Sequence, residues 1–281
     1  MKNFSHFLGV VLLFILSCNA PDKEIQQKDS TLKEPSDTAA IGKNADNEVR
    51  SEAPDAKTKT DQGYGSPKHD NGKFQSPIDI LTSDVKNDRG HAVTIKFQTA
   101  VIAAENLGHT IQLDFKDGST CSMNGKIYQA KQFHFHTPSE HLIDGMTFPL
   151  EMHIVSILQD SNTKTKPSYL VIGVLFKMGK ENKFIRSFFN AVPNEEHKKD
   201  SIPPGAVNFD DFSVQILKNS KNAFYQYKGS LTTPPFTEAV DWIVLKQILE
   251  ASPDQVMAIE KMQGNNARHV QALYDREVSI H

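Results

Sequence analysis

Between residues 91 and 178 the chain carries five runs of strand-like pattern: "HAVTIKFQ" (91–98), "HTIQLDF" (109–115), "KQFHFH" (131–136), "LEMHIVSI" (150–157) and "YLVIGVLFKM" (169–178). Each either alternates apolar with polar residues or is continuously apolar. All are rich in β-branched and aromatic side chains, and clusters of Gly, Asn, Asp and Pro separate them. A period of two suits a pleated strand and does not suit a helix. Helical signal is confined to "KFIRSFFNAV" (183–192), "DDFSVQILK" (210–218) and "SPDQVMAIEKMQ" (252–263), where Ser252-Pro253 reads as an N-cap followed by an N1 proline. The pattern predicts one large sheet with short peripheral helices, in a single domain over 63–281 with no internal repeat.

The N-terminal part is of another kind. "MKNFSHFLGVVLLFILSC" pairs an early lysine with an apolar run too short to span a bilayer, as in a signal peptide over 1–18. Its "ILSC" ending fits the bacterial lipoprotein pattern, which makes Cys18 a candidate lipidation site; a plain secretory signal is the alternative. Residues 19–62 contain no aromatic side chain and are filled with Lys, Glu, Asp, Ser, Thr, Gln and Ala. Such a segment buries too little apolar surface to offset the entropy of ordering it, so it reads as a disordered polar tether. Together these predict an exported chain anchored by lipid to a bacterial membrane, on its periplasmic or cell-surface side. Charge excludes another class: 31 Lys+Arg against 34 Asp+Glu leave a net charge of -3, with no footprint for nucleic acid.

Chemistry concentrates in "QFHFHTPSEH" (132–141). On a strand Gln132, His134 and His136 share one face, while Phe133 and Phe135 face the other side and the core. "LEMHIVS" repeats the device, with Glu151, His153 and Val155 on one face and Met152 and Ile154 on the other. A lone His-x-His on an exposed strand would mean little. If the two strands are neighbours, however, three imidazoles converge, and three nitrogens around a divalent ion leave a fourth position for water, as in catalytic zinc sites. Gln132 and Glu151 lie where they could take the second ring N–H of the ligands.

These segments, with "QSPIDI" (75–80), "NLGHTIQL" (106–113), "LVIGVLFKMG" (170–179), "YKGSLTTPP" (227–235) and "NNARHVQALYDREV" (265–278), occur in an order that resembles the α-class carbonic anhydrases of the short-loop bacterial type. The resemblance spans most of the domain. It implies an α+β, mainly β fold, with a large central twisted and mostly antiparallel sheet. It also implies an enzyme: zinc-dependent, reversible hydration of carbon dioxide to bicarbonate and a proton. By resemblance His134, His136 and His153 are the zinc ligands, Gln132 and Glu151 orient the first and third, and the backbone carbonyl of Asn266 takes the ring N–H of His136. Thr232 matches the gatekeeper that accepts the proton of zinc-bound hydroxide and donates its own to Glu140. Thr233 sits beside it; Val155, Val171, Leu231, Val240 and Trp242 match the apolar wall where carbon dioxide rests; His109 matches the proton shuttle. In this family zinc holds the pKa of its bound water at about 7, an established value, and an imidazole near its ordinary pKa can carry the released proton. Inhibition by sulfonamides and anions is implied, and a homodimer is compatible with the resemblance.

Departures from the family are also legible. "DQGYGSPKHDNGKFQSPI" (61–78) keeps Tyr64 of the usual N-terminal aromatic motif but carries Gln62 where a tryptophan is expected, and it is short. The cysteines that many secreted relatives pair before "QSPI" and after "TTPP" fall in the shortened segment and at Phe236. Leu107 replaces a common asparagine next to the shuttle. Cys121 should be a buried or half-buried thiol, and His141, next to Glu140, should point to the opposite face in a structural role. Two other readings remain: a non-catalytic binding domain of the same fold, and a zinc-dependent esterase.

Overall fold

The structure, a computed structural model, describes residues 72–88, 94–159, 168–217 and 224–281, all within one compact unit. The leader with Cys18, the tether over 19–62, and Tyr64 lie outside the described residues.

In chain order the strands are β1 (Asp79–Ile80), β2 (Lys86–Asn87), β3 (Ile95–Gln98), β4 (Val101–Asn106), β5 (Ile111–Phe115), β6 (Thr120–Met123), β7 (Lys126–His136), β8 (Leu142–Ile143), β9 (Leu150–Leu158) and β10 (Tyr169–Met178). After helix α1 (Lys183–Phe189) come β11 (Lys198–Ser201), helix α2 (Phe209–Leu217), β12 (Phe224–Gly229), β13 (Val240–Leu245), β14 (Leu249–Ala251), helix α3 (Pro253–Gln263) and β15 (Ser279–Ile280). Among the described residues they form a 13-stranded sheet, in the order β11-β4-β5-β7-β9-β10-β13-β12-β15-β2 with β3, β6 and β14 attached, and a separate β1-β8 pair. Most pairings are antiparallel, but β10 and β13 run parallel at the centre, with Val171 opposite Trp242 and Gly173 opposite Val244. The sheet is therefore mixed and mostly antiparallel, as expected.

Alternation along the central strands splits the apolar residues between two faces. One face carries Phe133, Phe135, Met152, Ile154, Ile172 and Ile243, covered by Phe184 and Phe188 of α1 and Phe209 and Phe212 of α2. Rings interlock there: Phe184 stacks on Phe212 at 3.9 Å, and Phe133 meets Phe209 at 5.3 Å. The opposite face holds Val171, Leu175, Tyr227, Val240, Trp242 and Val244. The helices start where their caps dictate. Asn182 Oδ1 accepts from the backbone N–H of Phe184 and Ile185, and Ser252 and Gln255 form a reciprocal capping box with Pro253 in the first turn.

An irregularity in β7 sets the direction in which its histidines point. Tyr128 and Ala130, at even positions, face the phenylalanine core, yet further along the strand Phe133 and Phe135, at odd positions, do so. The switch occurs at a register shift against β9, where Ala130 pairs Ser156 and Gln132 pairs Val155, leaving Lys131 as the extra residue. Such a bulge exchanges the two faces of a strand. Its effect is to turn Gln132, His134 and His136 away from the core.

Candidate metal centre

Past the bulge, β7 and β9 place His134 opposite His153 and His136 opposite Glu151. One ring nitrogen from each of His134, His136 and His153 lies within 4.8 Å of the others. Hydrogen bonds then decide which nitrogens carry protons. His134 Nδ1 lies 2.8 Å from Gln132 Oε1, an oxygen that only accepts, so this nitrogen bears the hydrogen and Nε2 keeps its lone pair. His153 Nε2 donates to Glu151 Oε1 at 2.9 Å, which leaves Nδ1 as its lone-pair nitrogen. His136 is buried with both ring nitrogens lacking a hydrogen bond. The Asn266 backbone lies close enough to favour the charged form of this ring without closing a bond of normal geometry. An orphaned buried nitrogen beside two inward lone pairs fits a divalent cation.

Protonation states agree with this use. Burial is the leading cause that pushes His134 down to about 3, although part of the residue remains accessible, and the neighbouring His153 and His109 add to the effect. Burial also holds His136 well below its ordinary value and lowers His153. Neutral imidazoles are the form that binds metal.

Glu151 is fully buried and uses both oxygens twice. Oε2 accepts from the backbone N–H of Glu140 and of His141, each at 2.8 Å. Oε1 accepts from His153 Nε2 and, at 2.7 Å, from His141 Nδ1. Burial alone would push this carboxyl up, but the two histidine rings outweigh it and keep it well below the usual range. His141 does not point to the opposite face, contrary to expectation. Residues 137–141 lie outside any strand, so alternation does not set their facing; the His141 ring turns toward Glu151 and meets the Tyr227 hydroxyl through Nε2 at 2.7 Å. It braces the carboxylate that braces His153.

The segment after β7 also carries Glu140. Burial pushes its carboxyl well above the ordinary range, opposed by the Arg268 backbone N–H at 2.9 Å from Oε1, by the Thr232 hydroxyl and by the Arg268 charge. Thr232 is itself buried, while Thr233 is half-buried and its carbonyl accepts from the Phe236 N–H. Val171, Val240 and Trp242 belong to the apolar cluster on the histidines' face of the sheet, and Val155 and Leu231 pack against it. The indole ring of Trp242 sits 4.8 Å from the His153 ring and donates to Ser230 O at 3.0 Å.

His109 lies in the turn 107–110, which closes through Leu107 N–H to Thr110 O and bends at Gly108, with φ +79°. Its Nδ1 donates to Leu107 O at 3.1 Å, and its own carbonyl accepts from Asn266 Nδ2 at 2.8 Å. The Asn266 amide also reaches Phe135 O and accepts from Thr137 N–H, tying the end of β7 to this turn.

Arg268 and Gly173 were not singled out by sequence reasoning. Arg268 Nη1 donates to Gln75 Oε1 and Ser76 O, and its guanidinium carbon lies 3.8 Å from the Phe236 ring centroid, fastening the chain before β1 to the "TTPPF" loop. "NNARHVQALYDREV" marked the neighbourhood but not the contact. Cys121 is buried, as expected, and burial pushes its thiol up to about 12.

Comparison with known proteins agrees with this architecture. Residues 61–281 match the family described as eukaryotic-type carbonic anhydrase. The chain belongs to that family. It is 36% identical over 209 residues to a carbonic anhydrase of Neisseria gonorrhoeae, covering 74% of this chain and 77% of the relative. Among solved structures it is similar to the α-carbonic anhydrase of Thermovibrio ammonificans in complex with the inhibitor sulfanilamide, at 34% identity and TM-score 0.62, covering 74% of this chain and 87% of that one. The Photobacterium profundum α-carbonic anhydrase has TM-score 0.64 at 30% identity, covering 75% and 90%.

Proposed function

We propose that the chain catalyses the reversible hydration of carbon dioxide to bicarbonate and a proton, with a zinc ion held by His134, His136 and His153. The observation that carries this reading is the trio of buried or part-buried neutral imidazoles, two with hydrogen-bonded outer nitrogens and one whose ring nitrogens make no hydrogen bond, beside a buried carboxylate and threonine. Bound there, zinc would supply a Lewis acid that makes water nucleophilic near neutral pH.

The chain's own residues do the rest. Gln132 and Glu151 fix the tautomers and ring planes of His134 and His153. Glu140 takes the Thr232 hydroxyl hydrogen, so that the Thr232 oxygen presents its lone pair to the nucleophile and orients it. The ionised form Glu140 needs is favoured by the Arg268 amide, the Thr232 hydroxyl and the Arg268 guanidinium, against its burial. Val155, Val171, Leu231, Val240 and Trp242 form an apolar wall that suits an uncharged, linear substrate and disfavours the charged product. His109 carries the proton outward, its Nδ1–H anchored on Leu107 O so that Nε2 is the accepting nitrogen.

Stopped-flow hydration of carbon dioxide, with zinc counted in the same sample, tests the assignment. One zinc per chain with fast hydration abolished by a sulfonamide supports it, in line with the sulfanilamide complex of the Thermovibrio relative. A zinc-loaded chain without hydration refutes it. For location, the leader ending in "ILSC" and the aromatic-free tether support export and lipid anchoring at Cys18 to the outer side of a bacterial membrane. Among the described residues no helix is long and apolar enough to cross a membrane. Release of a Cys18→Ser chain from the membrane fraction, with the natural chain retained, checks the anchor.

A further inference from the structure

Within β10 the run "YLVIGVLFKM" is apolar and mostly branched, with Gly173 in its middle. The glycine has no backbone reason to be there, since its φ is not among the positive values that only glycine adopts easily. In a strand interior it costs about 0.5–1 kcal/mol relative to alanine. Its position explains the choice. Gly173 pairs with His153 on one side and Val244 on the other, so a side chain there would rise on the face that carries the metal centre.

We propose that Gly173 is a positioning residue for the metal centre: the empty volume above its Cα is the space in which the Glu151 carboxylate holds His153. This rests on the reading that His134, His136 and His153 bind zinc. A Cβ at this position would lie 2.9 Å from Glu151 Oε1, while Val244 Cγ2 at 3.7 Å and Trp242 Cζ3 at 3.8 Å would make ordinary contacts. Only the carboxylate is crowded. Ordinary contact begins at 3.4 Å, so the oxygen must retreat by about 0.5 Å (3.4 minus 2.9). It has no slack for this retreat. Glu151 is fully buried, and its four hydrogen bonds of 2.7 to 2.9 Å fix it to His153, to the His141 ring and to two backbone amides. The displacement therefore passes to the His153 ring, and through the Glu140 amide to the carboxylate that accepts from Thr232. A small residue needed merely for close strand packing would instead crowd Trp242 or Val244.

The test is a double-mutant cycle on the full chain, read as zinc dissociation constants from chelator competition and as the melting temperature of the metal-free protein. Gly173→Ala should weaken zinc binding about tenfold or more, the range expected when the partner of a metal-binding histidine is disturbed, with little change in metal-free melting. Glu151→Asp, which draws the carboxylate back by one methylene, weakens binding by itself, but adding Gly173→Ala to it should then cost less than about threefold. If Gly173→Ala fails to fold while the double variant folds, the clash with Glu151 is equally supported. Unchanged affinity in Gly173→Ala, an equal loss in both backgrounds, or failure of both variants to fold overturns the proposal. If the natural chain binds no zinc, or His136→Ala binds it undiminished, the zinc reading fails on its own account and this inference falls with it.

Discussion

Arg268→Met probes whether a buried cation fastens the gatekeeper region. The natural side chain is 3% exposed; its Nη1 donates to Gln75 Oε1 at 2.9 Å and to Ser76 O at 2.7 Å, and the guanidinium lies over the Phe236 ring. Hydrogen bonds from a charged donor contribute about 1.5–3 kcal/mol each, and a cation over an aromatic face about 0.5–2 kcal/mol. Methionine keeps the aliphatic stem and removes the cost of burying the charge, which offsets part of that sum. It also leaves Gln75 and Ser76 oxygens without the guanidinium and takes a positive charge away from buried Glu140. Two such hydrogen bonds and the ring contact, less that offset, leave a loss of about 3–5 kcal/mol. With about 2–4 °C per kcal/mol for a domain of this size, the melting temperature should fall by roughly 10 °C. Urea unfolding followed by fluorescence of Trp242, the single tryptophan, reads the change directly, because that indole is buried. Arg268→Lys, with the charge but not the planar fork, should fall between the two. A loss below about 1 kcal/mol for Arg268→Met would refute the argument that this residue, rather than the surrounding backbone bonds, secures the segment.

The same geometry fixes further outcomes. His136→Ala removes the imidazole of the trio whose ring nitrogens make no hydrogen bond and should abolish zinc retention and hydration together; a metal-analysed sample of that variant with full activity refutes the ligand assignment. His109→Ala should slow turnover at low buffer concentration and recover with added imidazole, whereas an unchanged rate in dilute buffer places proton transfer elsewhere. Cys121, its thiol pushed up from 9.0 to about 12 by burial, should be silent toward a disulfide reagent at pH 8 in the native state and titrate fully in urea, measured in a Cys18→Ser chain. A thiol whose folded pKa exceeds its unfolded one stabilises the fold fully below about pH 9 and loses that contribution as pH rises toward 12. Fast native-state labelling would contradict its burial.

Much of this molecule is legible without any coordinates. Strand character follows from local alternation, the helices from local pattern, and the start of α3 from its Ser252-Pro253 cap, because propensity and capping act within a few residues. That His134 and His136 share one face of their strand, and Glu151 and His153 one face of theirs, is readable from spacing alone, as is the conjunction of motifs that marks the family. His141 escapes such reading because strand alternation does not extend past the end of β7. Arg268 and Gly173 give no local signal, since their partners lie 193 residues away at Gln75 and on a neighbouring strand at Glu151.

By itself the sequence determined which residues alternate, where helices can start and which side chains can bind metal, since these properties are local. Tertiary structure decided which face each half of β7 presents. Alternation alone, carried from Tyr128 and Ala130, would have sent His134 and His136 into the phenylalanine core; the bulge at Lys131 reverses the faces, and it is visible only in the pairing with β9. The same long-range pairing set His153 opposite His134 and left room above Gly173 for one carboxylate, because register and close approach are properties of two strands and not of one.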